Sequence, residues 1–505
     1  MVGLAPLILL LIWPFFEHVR GKIGLARFRR QLIARGEKLT AADFQSHVSS
    51  VDNGAPEVFA AYALIQKGQA VPESYPPAAA LVPSGRAVVG FNEDYWIESR
   101  VTNDWEQVAA DMTLNETALK RIRAALEKPI LDNQLDLSLG AKMKIDRLLP
   151  AKQLARWFGI GAQAQLHEGK THEAIGSLTS AIQAIRLLGN DRILISELVR
   201  VAVAAICQNY TWEALQAADS TEPELARLQK SWEETEFAWS MERALEGERV
   251  YGDVFYANGR QSNQDTFDGI FGLEVFLGVD ESTRPVWEKS IAQLPGGEKA
   301  VDFLKRQVYC RYWRFAWLDL DERKYLECMQ LLINATRAAA REKTRQNLEA
   351  STVAFEKRTT LDGIYDRLRY SPSSSSLSAL SRATYRAFRA ETERSLAICA
   401  IALKRYHLRY NKYPDSLAVL TPEFFASVPV DYMDGKPIKY RSNPDGSFAL
   451  YSIGENGKDD HGNSSVLPGK TSSRSRWDRM DVLWPAPATP EEIESYRQES
   501  AARSR

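Results

Sequence analysis

Residues 405–414 read RYHLRYNKYP and residues 434–460 read DGKPIKYRSNPDGSFALYSIGENGKDD, and these two stretches decide the fold near the carboxyl end of the chain. The first closes a long helical pattern, and its final proline predicts the end of that helix, because proline lacks an amide hydrogen and clashes with the preceding turn. In the second, residues 438–441 and 448–453 alternate like strands on either side of turn residues. The sequence therefore predicts a helix packed on a small antiparallel hairpin over residues 379–487.

The order of motifs in this module resembles the soluble part of the major pseudopilin of type II secretion. Both have a helix that ends in an asparagine, basic residue, tyrosine, proline step, followed by a leucine-rich turn, a Pro-x-Asp segment and a closing Tyr-Ser-x-Gly loop. The resemblance covers residues 380–485 and implies the same helix-plus-sheet fold. The matching residues are Asn411, Lys412, Tyr413, Pro414, Leu417, Leu420, Pro429, Asp431, Gly435, Pro437, Tyr440, Tyr451, Ser452, Gly454 and Gly457.

The same comparison marks two differences from that family. The pseudopilin carries its module directly on an amino-terminal membrane helix with a prepilin-peptidase site, whereas here a long helical region intervenes and no such processing motif is present at the amino terminus. A filament subunit is therefore not expected. The whole chain resembles uncharacterised bacterial membrane-anchored helical proteins that carry this tail, and that resemblance implies no known activity.

The resemblance also implies a calcium site, because the closing loop of the pseudopilin binds calcium. Calcium takes six to eight oxygen ligands, several of them charged. An asparagine stands here where the family has an aspartate, and an insertion at 463–476 lengthens the loop. The alternative is a solvated acidic turn, since Asp and Gly are favoured in turns for backbone reasons. The candidate ligands are Asn456, Asp459, Asp460, Asp478 and Asp481.

Helical periodicity governs most of the chain between residues 104 and 370. Apolar residues recur there every three or four positions, which predicts a mainly α fold, either an irregular helical bundle or an α-solenoid of helix hairpins. Residues 155–186 resemble one tetratricopeptide repeat around Gly169. No second copy lies in register, and such arrays need about three repeats, so ordinary helix packing is favoured.

Composition divides the chain into five parts. A glycine-, asparagine- and aspartate-rich stretch within the helical body predicts a long loop or flap, and a serine-rich stretch at 370–378 predicts a break. The parts are an apolar and then basic segment (1–36), a linker or irregular segment with short extended pieces (37–103), the helical body (104–370) with its loop at 256–300, the pseudopilin-like module (379–487) and a polar tail (488–505).

Residues 4–16 read LAPLILLLIWPFF, and basic residues follow from Arg20 onward. The run is shorter than the roughly 20 residues of a spanning helix, and Pro14 would interrupt a helix. Three interpretations stay open: a membrane anchor, which we favour, a cleaved signal, and a buried or interface helix. The positive-inside rule places the body in the cytoplasm. The pseudopilin resemblance places it outside, and we expect a membrane-anchored protein with a periplasmic body.

Net charge and cysteine spacing bear on nucleic-acid binding and on the state of the cysteines. The net charge is −1, with 64 basic and 65 acidic residues, whereas a nucleic-acid binder usually has a basic surplus. We therefore expect no nucleic-acid partner. The cysteines form no CxxC pair, so they predict buried core residues, with a Cys310–Cys328 disulfide as the alternative. All four are Cys207, Cys310, Cys328 and Cys399.

No established catalytic motif is present: the chain has no GxSxG, P-loop or HExxH sequence. One catalytic hypothesis remains, a hydrolase whose carboxylate cleft lies near the 256–300 loop. Its candidate acids are Asp253, Asp265 and Asp268, with Glu242 nearby. A dense aromatic and basic segment at 306–317 predicts either a partner surface or buried aromatics with arginines that reach solvent.

These observations favour a non-enzymatic, membrane-anchored binding or scaffold protein with protein partners. An accessory component of a type II secretion or pilus-like system is the second hypothesis, and the hydrolase is the third. The sequence does not indicate an oligomeric state.

Overall fold

The computed structural model describes residues 4–45, 48–69, 71, 80–81, 86–88, 95–98, 101–276, 286–361, 363–377, 380–444, 446–470, 475–487, 494 and 498. Most of them are helical, which confirms the mainly α prediction, and a small antiparallel sheet lies near the carboxyl end.

From α5 onward, most helices follow one another with short connections. Two π-helical segments, Leu304–Tyr309 and Trp313–Trp317, flank α13, and short 3-10 segments lie between several of the others. In chain order the α-helices are α1 Leu4–Ala34, α2 Ala55–Tyr62, α3 Trp105–Leu114, α4 Glu116–Leu126, α5 Leu148–His167, α6 Thr171–Gln183, α7 Leu194–Ala214, α8 Glu222–Glu233, α9 Ala238–Gln261, α10 Asn263–Phe276, α11 Val286–Ala292, α12 Gly297–Phe303, α13 Cys310–Tyr312, α14 Leu318–Glu342, α15 Gln346–Thr359, α16 Gly363–Arg369, α17 Ser371–Leu377 and α18 Leu380–Tyr410.

Within the described ranges, the strands are short and form four small sheets. In the module, β7 and β8 form the predicted hairpin, with Tyr440 opposite Leu450, and β9 adds to the other edge of β8. Also in the module, β5 pairs with β6, while β3 pairs with β4 outside it and β2 pairs with β1 and with β10. The strands are β1 Ala80–Leu81, β2 Arg86–Val88, β3 Tyr95–Glu98, β4 Val101–Asp104, β5 Val430–Asp431, β6 Lys436–Pro437, β7 Lys439–Ser442, β8 Phe448–Ser452, β9 Val482–Leu483 and β10 Ala486–Pro487.

One apolar core joins the helical body to the carboxyl-terminal module. Helix α18 packs against α7 and α8 of the body and against β8 of the sheet, and the same cluster of buried side chains extends from Leu25 in α1 to Trp484 after β9. The indole Nε1 of Trp212 in α7 donates to the carbonyl oxygen of Pro485 at 2.6 Å. The module therefore shares its hydrophobic interior with the body.

The predicted membrane anchor, with the membrane partnership and periplasmic placement built on it, is contradicted. Among the described residues, no helix has the length and the apolar character that crossing a bilayer requires. Helix α1 continues through Pro14, lies along α14, and buries Glu17 completely. A carboxylate on the packed side and several basic residues in its second half make α1 a helix of the folded body.

The segment expected to be a long loop is largely helical where it is described. Residues 263–276 form α10, and residues 286–303 contain α11 and α12, while 277–285 lie outside the described residues. Ser262 caps α10 by accepting the amide hydrogen of Asp265 at 3.1 Å, and Phe271 packs on Tyr309. Tertiary packing overrides the loop-like composition here.

Two other boundaries also differ from expectation. The predicted break at 370–378 contains α17, and the predicted linker at 37–103 contains α2 and four short strands. The hairpin predicted around Gly169 is present as α5 and α6. All four cysteines are buried and free, so the core interpretation is confirmed and the Cys310–Cys328 disulfide is not formed.

Candidate functional site

Around Glu17 and Gly21, the buried side of α1 carries a carboxylate and a residue without a side chain. A Cβ on Gly21 would lie 3.2 Å from Cβ of Asp319 in α14, so glycine permits the close approach of the two helices. The carboxylate of Glu17 pairs with Arg369 at 2.8 Å, and the indole Nε1 of Trp13 donates to the hydroxyl of Tyr365 at 2.7 Å. These contacts fix the orientation of α1 about its own axis.

An ion-pair network extends these contacts of α1 toward α9. Arg29 of α1 donates to Glu322 of α14 and to Asp253 of α9, and Arg260 donates to the same Glu322 and to Asp319. Burial raises the pKa of Glu322 although both arginines oppose that shift. Burial alone would lower the pKa of Arg29, but the two carboxylates outweigh it and raise that pKa. Because charges desolvated in this way are costly without their partners, the network holds α1 in one position.

The outer side of α1 is apolar and faces solvent. Ile12 is 55% exposed, Phe15 62%, Phe16 53%, Val19 53% and Ile23 66%. Soluble helices normally place such residues toward the core and their charges outward, so α1 has the reverse arrangement over this half. We call these five residues the α1 outer face.

A half-open groove of about 540 Å³ runs beside the α1 outer face, between α1 and α14. Its lining is apolar and basic and contains no Asp or Glu. The lining residues are Phe16, Val19, Arg20, Ile23, Gly24, Arg27, Phe28, Gln31 and Arg323. The apolar run was identified from the sequence, but it was predicted to be a membrane anchor. The pattern that indicates a surface groove is the apolar spacing that continues past Glu17 to Ile23.

In the carboxyl-terminal module, the closing loop brings three of the five predicted calcium ligands together. Asp481 accepts hydrogen bonds from the amides of Gly462 at 2.7 Å, Asn463 at 3.1 Å and Asp460 at 3.4 Å. The side chain of Asn456 donates to the carboxylate of Asp460 at 2.6 Å. Burial raises the pKa of Asp481, against these amide hydrogen bonds.

The other two predicted ligands are engaged elsewhere. Asp459 accepts a hydrogen bond from the hydroxyl of Tyr451 at 3.1 Å, and Asp478 lies 3.2 Å from the ammonium group of Lys470. Over the part of the chain that is described, no three His, Cys, Asp or Glu side chains are gathered closely enough to hold a metal ion. A calcium ion in this loop would therefore depend on Asp460, Asp481, the Asn456 amide oxygen and backbone carbonyls.

Asp431 is the polar centre of the module and was not singled out as a site residue. It is fully buried and accepts hydrogen bonds from the Ser452 hydroxyl at 2.9 Å, the Ile453 amide at 2.9 Å and the Met433 amide at 3.0 Å. It thus ties β5 to the end of β8. Its place in the Pro-x-Asp motif is the sequence signal that marks it.

The acids of the hydrolase hypothesis lie in different environments. Asp253 pairs with Arg29, and Glu242 pairs with Arg337 at 2.7 Å. On α10, the carboxylate of Asp268 accepts from the Gln264 amide at 2.7 Å. Two of the four acids are thus neutralised by arginines in separate clusters, which disfavours a shared acid–base role.

A second, polar cleft of about 510 Å³ was not anticipated from the sequence. It lies between residues 38–45 with Val48, the loop at 130–137 and the α6–α7 connection. Two residues on its wall, Gln134 and Arg192, have φ of 51° and 55°. Burial is the main cause that raises the pKa of Asp191, also on the wall, to about 6. Its carboxylate already accepts from Ser196 at 2.6 Å and Asn133 at 2.8 Å, so it acts first as a brace for this connection.

The fold and these sites define a mainly helical protein with an apolar helix face open to solvent and a small carboxyl-terminal sheet. Comparison with known protein families, with curated proteins and with solved structures finds no match to this chain.

Proposed function

We propose that this chain is a non-enzymatic binding or scaffold protein and that the α1 outer face is the surface that takes a protein partner. The observation that supports this most directly is the exposure of five large apolar side chains on one side of a single helix. Contiguous apolar patches on soluble proteins mark interaction sites more often than scattered exposed residues do. Burying each such side chain is worth about 1.5–3 kcal/mol.

The rigidity of α1 supports a docking role. Its opposite side is held by Glu17–Arg369 and by Arg29 with Glu322 and Asp253. A surface that is already ordered loses little conformational entropy when a partner binds. The outer face also combines phenylalanines with nearby arginines, which are residue types enriched at the centres of protein interfaces.

Photo-crosslinking of the full-length chain in its native host tests this proposal. A benzophenone amino acid at Val19 should give a covalent adduct with a defined protein, identified by mass spectrometry. The same group at Val353, which is 67% exposed on α15, is the matched control. Adducts of equal yield at the two positions, or none at Val19, would contradict the proposal.

Accessory participation in a type II secretion or pilus-like system is a second candidate function. The observation that favours it is the β7–β8 hairpin, in which the hydroxyl of Tyr440 donates to the carbonyl oxygen of Pro414 at 2.7 Å and so joins two of the motif residues. Co-purification with secretion components from membranes of the native host would support this function. A chain isolated free of such components would argue against it.

Calcium binding by the closing loop is proposed on the strength of two neighbouring carboxylates and an amide oxygen. Isothermal titration of the full chain with calcium chloride should show heat, and Asp460→Asn should weaken it, because it removes the charge and leaves only one of the two side-chain oxygens. Asp415→Asn, an exposed change outside the loop, is the control. An equal response from wild type and Asp460→Asn, or no response from either, would end the proposal.

A further inference from the structure

We infer that the α1 outer face and its groove dock an amphipathic helix whose flanks are acidic. This inference rests on the proposed function and names the chemistry of the partner. It is carried by the spacing of the exposed apolar residues and by the charge of the groove beside them.

The spacing matches a helix–helix seam. Ile12, Phe16, Val19 and Ile23 follow one another by four, three and four residues, which is the alternation of core positions in a heptad. All four are more than half exposed. At about 1.5 Å per residue they extend over about 16 Å of α1, enough for two turns or more of a partner helix. The α1 outer face therefore provides one half of a helix–helix interface. The apolar residues of a partner helix would provide the other half.

The charge of the groove selects an acidic partner. Arg20, Arg27 and Arg323 line it without any acidic neighbour in the lining. Arg27 forms no ion pair within the described residues. Arg20 pairs with Glu17 at 2.8 Å and Arg323 with Glu327 at 2.9 Å, but a guanidinium has five N–H donors, so each keeps donors for a second carboxylate. Glutamates at the flanking positions of a partner helix would meet these three arginines.

A second copy of this chain is the less suitable occupant. Two α1 helices aligned in parallel would place Arg20 and Arg27 beside the same residues of the other copy, and like charges across an interface oppose association. An acidic helix removes that repulsion and replaces it with ion pairs.

The test is fluorescence anisotropy of the full-length chain with a labelled three-heptad peptide that carries leucine at its core positions and glutamate at its flanks. We expect saturable binding that weakens about tenfold or more in Ile23→Glu and in Arg27→Glu, since a loss of about 1.4 kcal/mol of binding free energy is a tenfold loss of affinity. Val353→Glu, an exposed change of the same kind on α15, should bind as wild type does. The same peptide with lysine flanks should not bind.

Other outcomes would overturn the inference. Equal binding by Ile23→Glu and wild type would remove the α1 outer face as the site. A dimer by sedimentation equilibrium that Ile23→Glu converts to a monomer would make a second copy the occupant. Binding of phosphatidylglycerol vesicles with no binding of the peptide would make the ligand a lipid surface. If the acidic peptide fails while the crosslink at Val19 persists, the proposed function stands and only the partner chemistry falls.

Discussion

Asp321, at the start of α14, is a buried carboxyl group whose pKa lies within the range of a titration. It is fully buried and accepts hydrogen bonds from the hydroxyls of Tyr256 at 2.7 Å and Ser373 at 2.5 Å. Burial raises its pKa to about 7, although both hydroxyls favour the ionised form. Asp321 joins α9, α14 and α17, so its protonation is linked to the stability of that junction.

We predict that Asp321→Asn is more stable than wild type at pH 8 and that the difference disappears near pH 4. Below about pH 4 the carboxyl is protonated in both the folded and the unfolded chain. Between about pH 4 and 7 the unfolded chain loses this proton and the folded chain keeps it, so wild-type stability falls as the pH rises. The size of the effect is on the order of 2–4 kcal/mol, measured by urea unfolding across this pH range.

Asp136→Asn is the control for this prediction. Asp136 is exposed, and hydrogen bonds from Ser138 lower its pKa. A group whose pKa is lowered by folding stabilises the fold at pH values above the pKa it has in the unfolded chain, and this stabilisation is lost only as the pH falls. The difference between Asp136→Asn and wild type should therefore not widen between pH 5 and 8. A constant difference for Asp321→Asn as well would refute the assignment.

At this scale the sequence predicted individual residues well only where a turn or strand alternation constrained them. Pro414 and Tyr440 were placed correctly, because turn chemistry and alternation act locally. The buried polar braces, Asp321 and Asp191, were missed. Their partners lie on other helices, and no local pattern connects Asp321 with Ser373 before the chain folds.

At the scale of single helices, α9 depends on a close contact at Gly247. A Cβ there would lie 1.7 Å from the carbonyl oxygen of Arg192, and Arg192 has φ of 55°, so that carbonyl is held by an unusual backbone conformation. Helix α9 can approach the α6–α7 connection at this point only without a side chain.

Gly247→Ala should lower the free energy of unfolding by about 1–3 kcal/mol, because overpacking against backbone outweighs the gain in helix propensity. Gly176→Ala in α6 is the matched control, since nothing lies within 4 Å of the added Cβ. That change should be neutral or raise stability by up to about 1 kcal/mol. Chemical unfolding of both variants decides the matter; equal effects would show that the Arg192 contact is not limiting.

Element prediction succeeded where periodicity was strong and failed where composition misled. Helices α5 and α6 were recognised from apolar spacing. The segment 263–276 was taken for a loop because glycine, asparagine and aspartate outnumber strong helix formers there. Its helical state depends on contacts with the neighbouring π-helical segment, such as Arg306 over the ring of Phe267 at 3.5 Å, and such contacts are not readable from local sequence.

The molecule as a whole has a continuous interior from α1 to the residues after β9. The sequence predicted the carboxyl-terminal hairpin and its helix, but suggested a separate unit. What it did not reveal is that α18 serves both parts, packing on α7 and α8 with one side and on β8 with another. Burial of almost every apolar residue along α18 follows from that double role.

We predict that the full chain unfolds in one cooperative transition by differential scanning calorimetry. A chain ending at residue 378 should fail to unfold cooperatively, because α7 and α8 would lose their cover. Trp212→Phe should lower the midpoint without splitting the transition, since it removes the hydrogen bond to Pro485 and part of one buried ring but leaves the shared core in place. Two separate transitions in wild type would show that the module is energetically independent.

The rates at which the four buried thiols react with a labelling reagent report how often the core of the protein opens. Burial raises the pKa of Cys310 and Cys328 to about 11 and raises the pKa of Cys207 and Cys399 further, so alkylating reagents meet almost no thiolate while the chain is closed. If α18 and α7 separate only when the whole core unfolds, Cys399 and Cys207 should be labelled by iodoacetamide at the same rate. Faster labelling of one cysteine would show that its helix unfolds locally before the other. Because the same sulfurs are buried, peroxide should oxidise them only after the protein has unfolded.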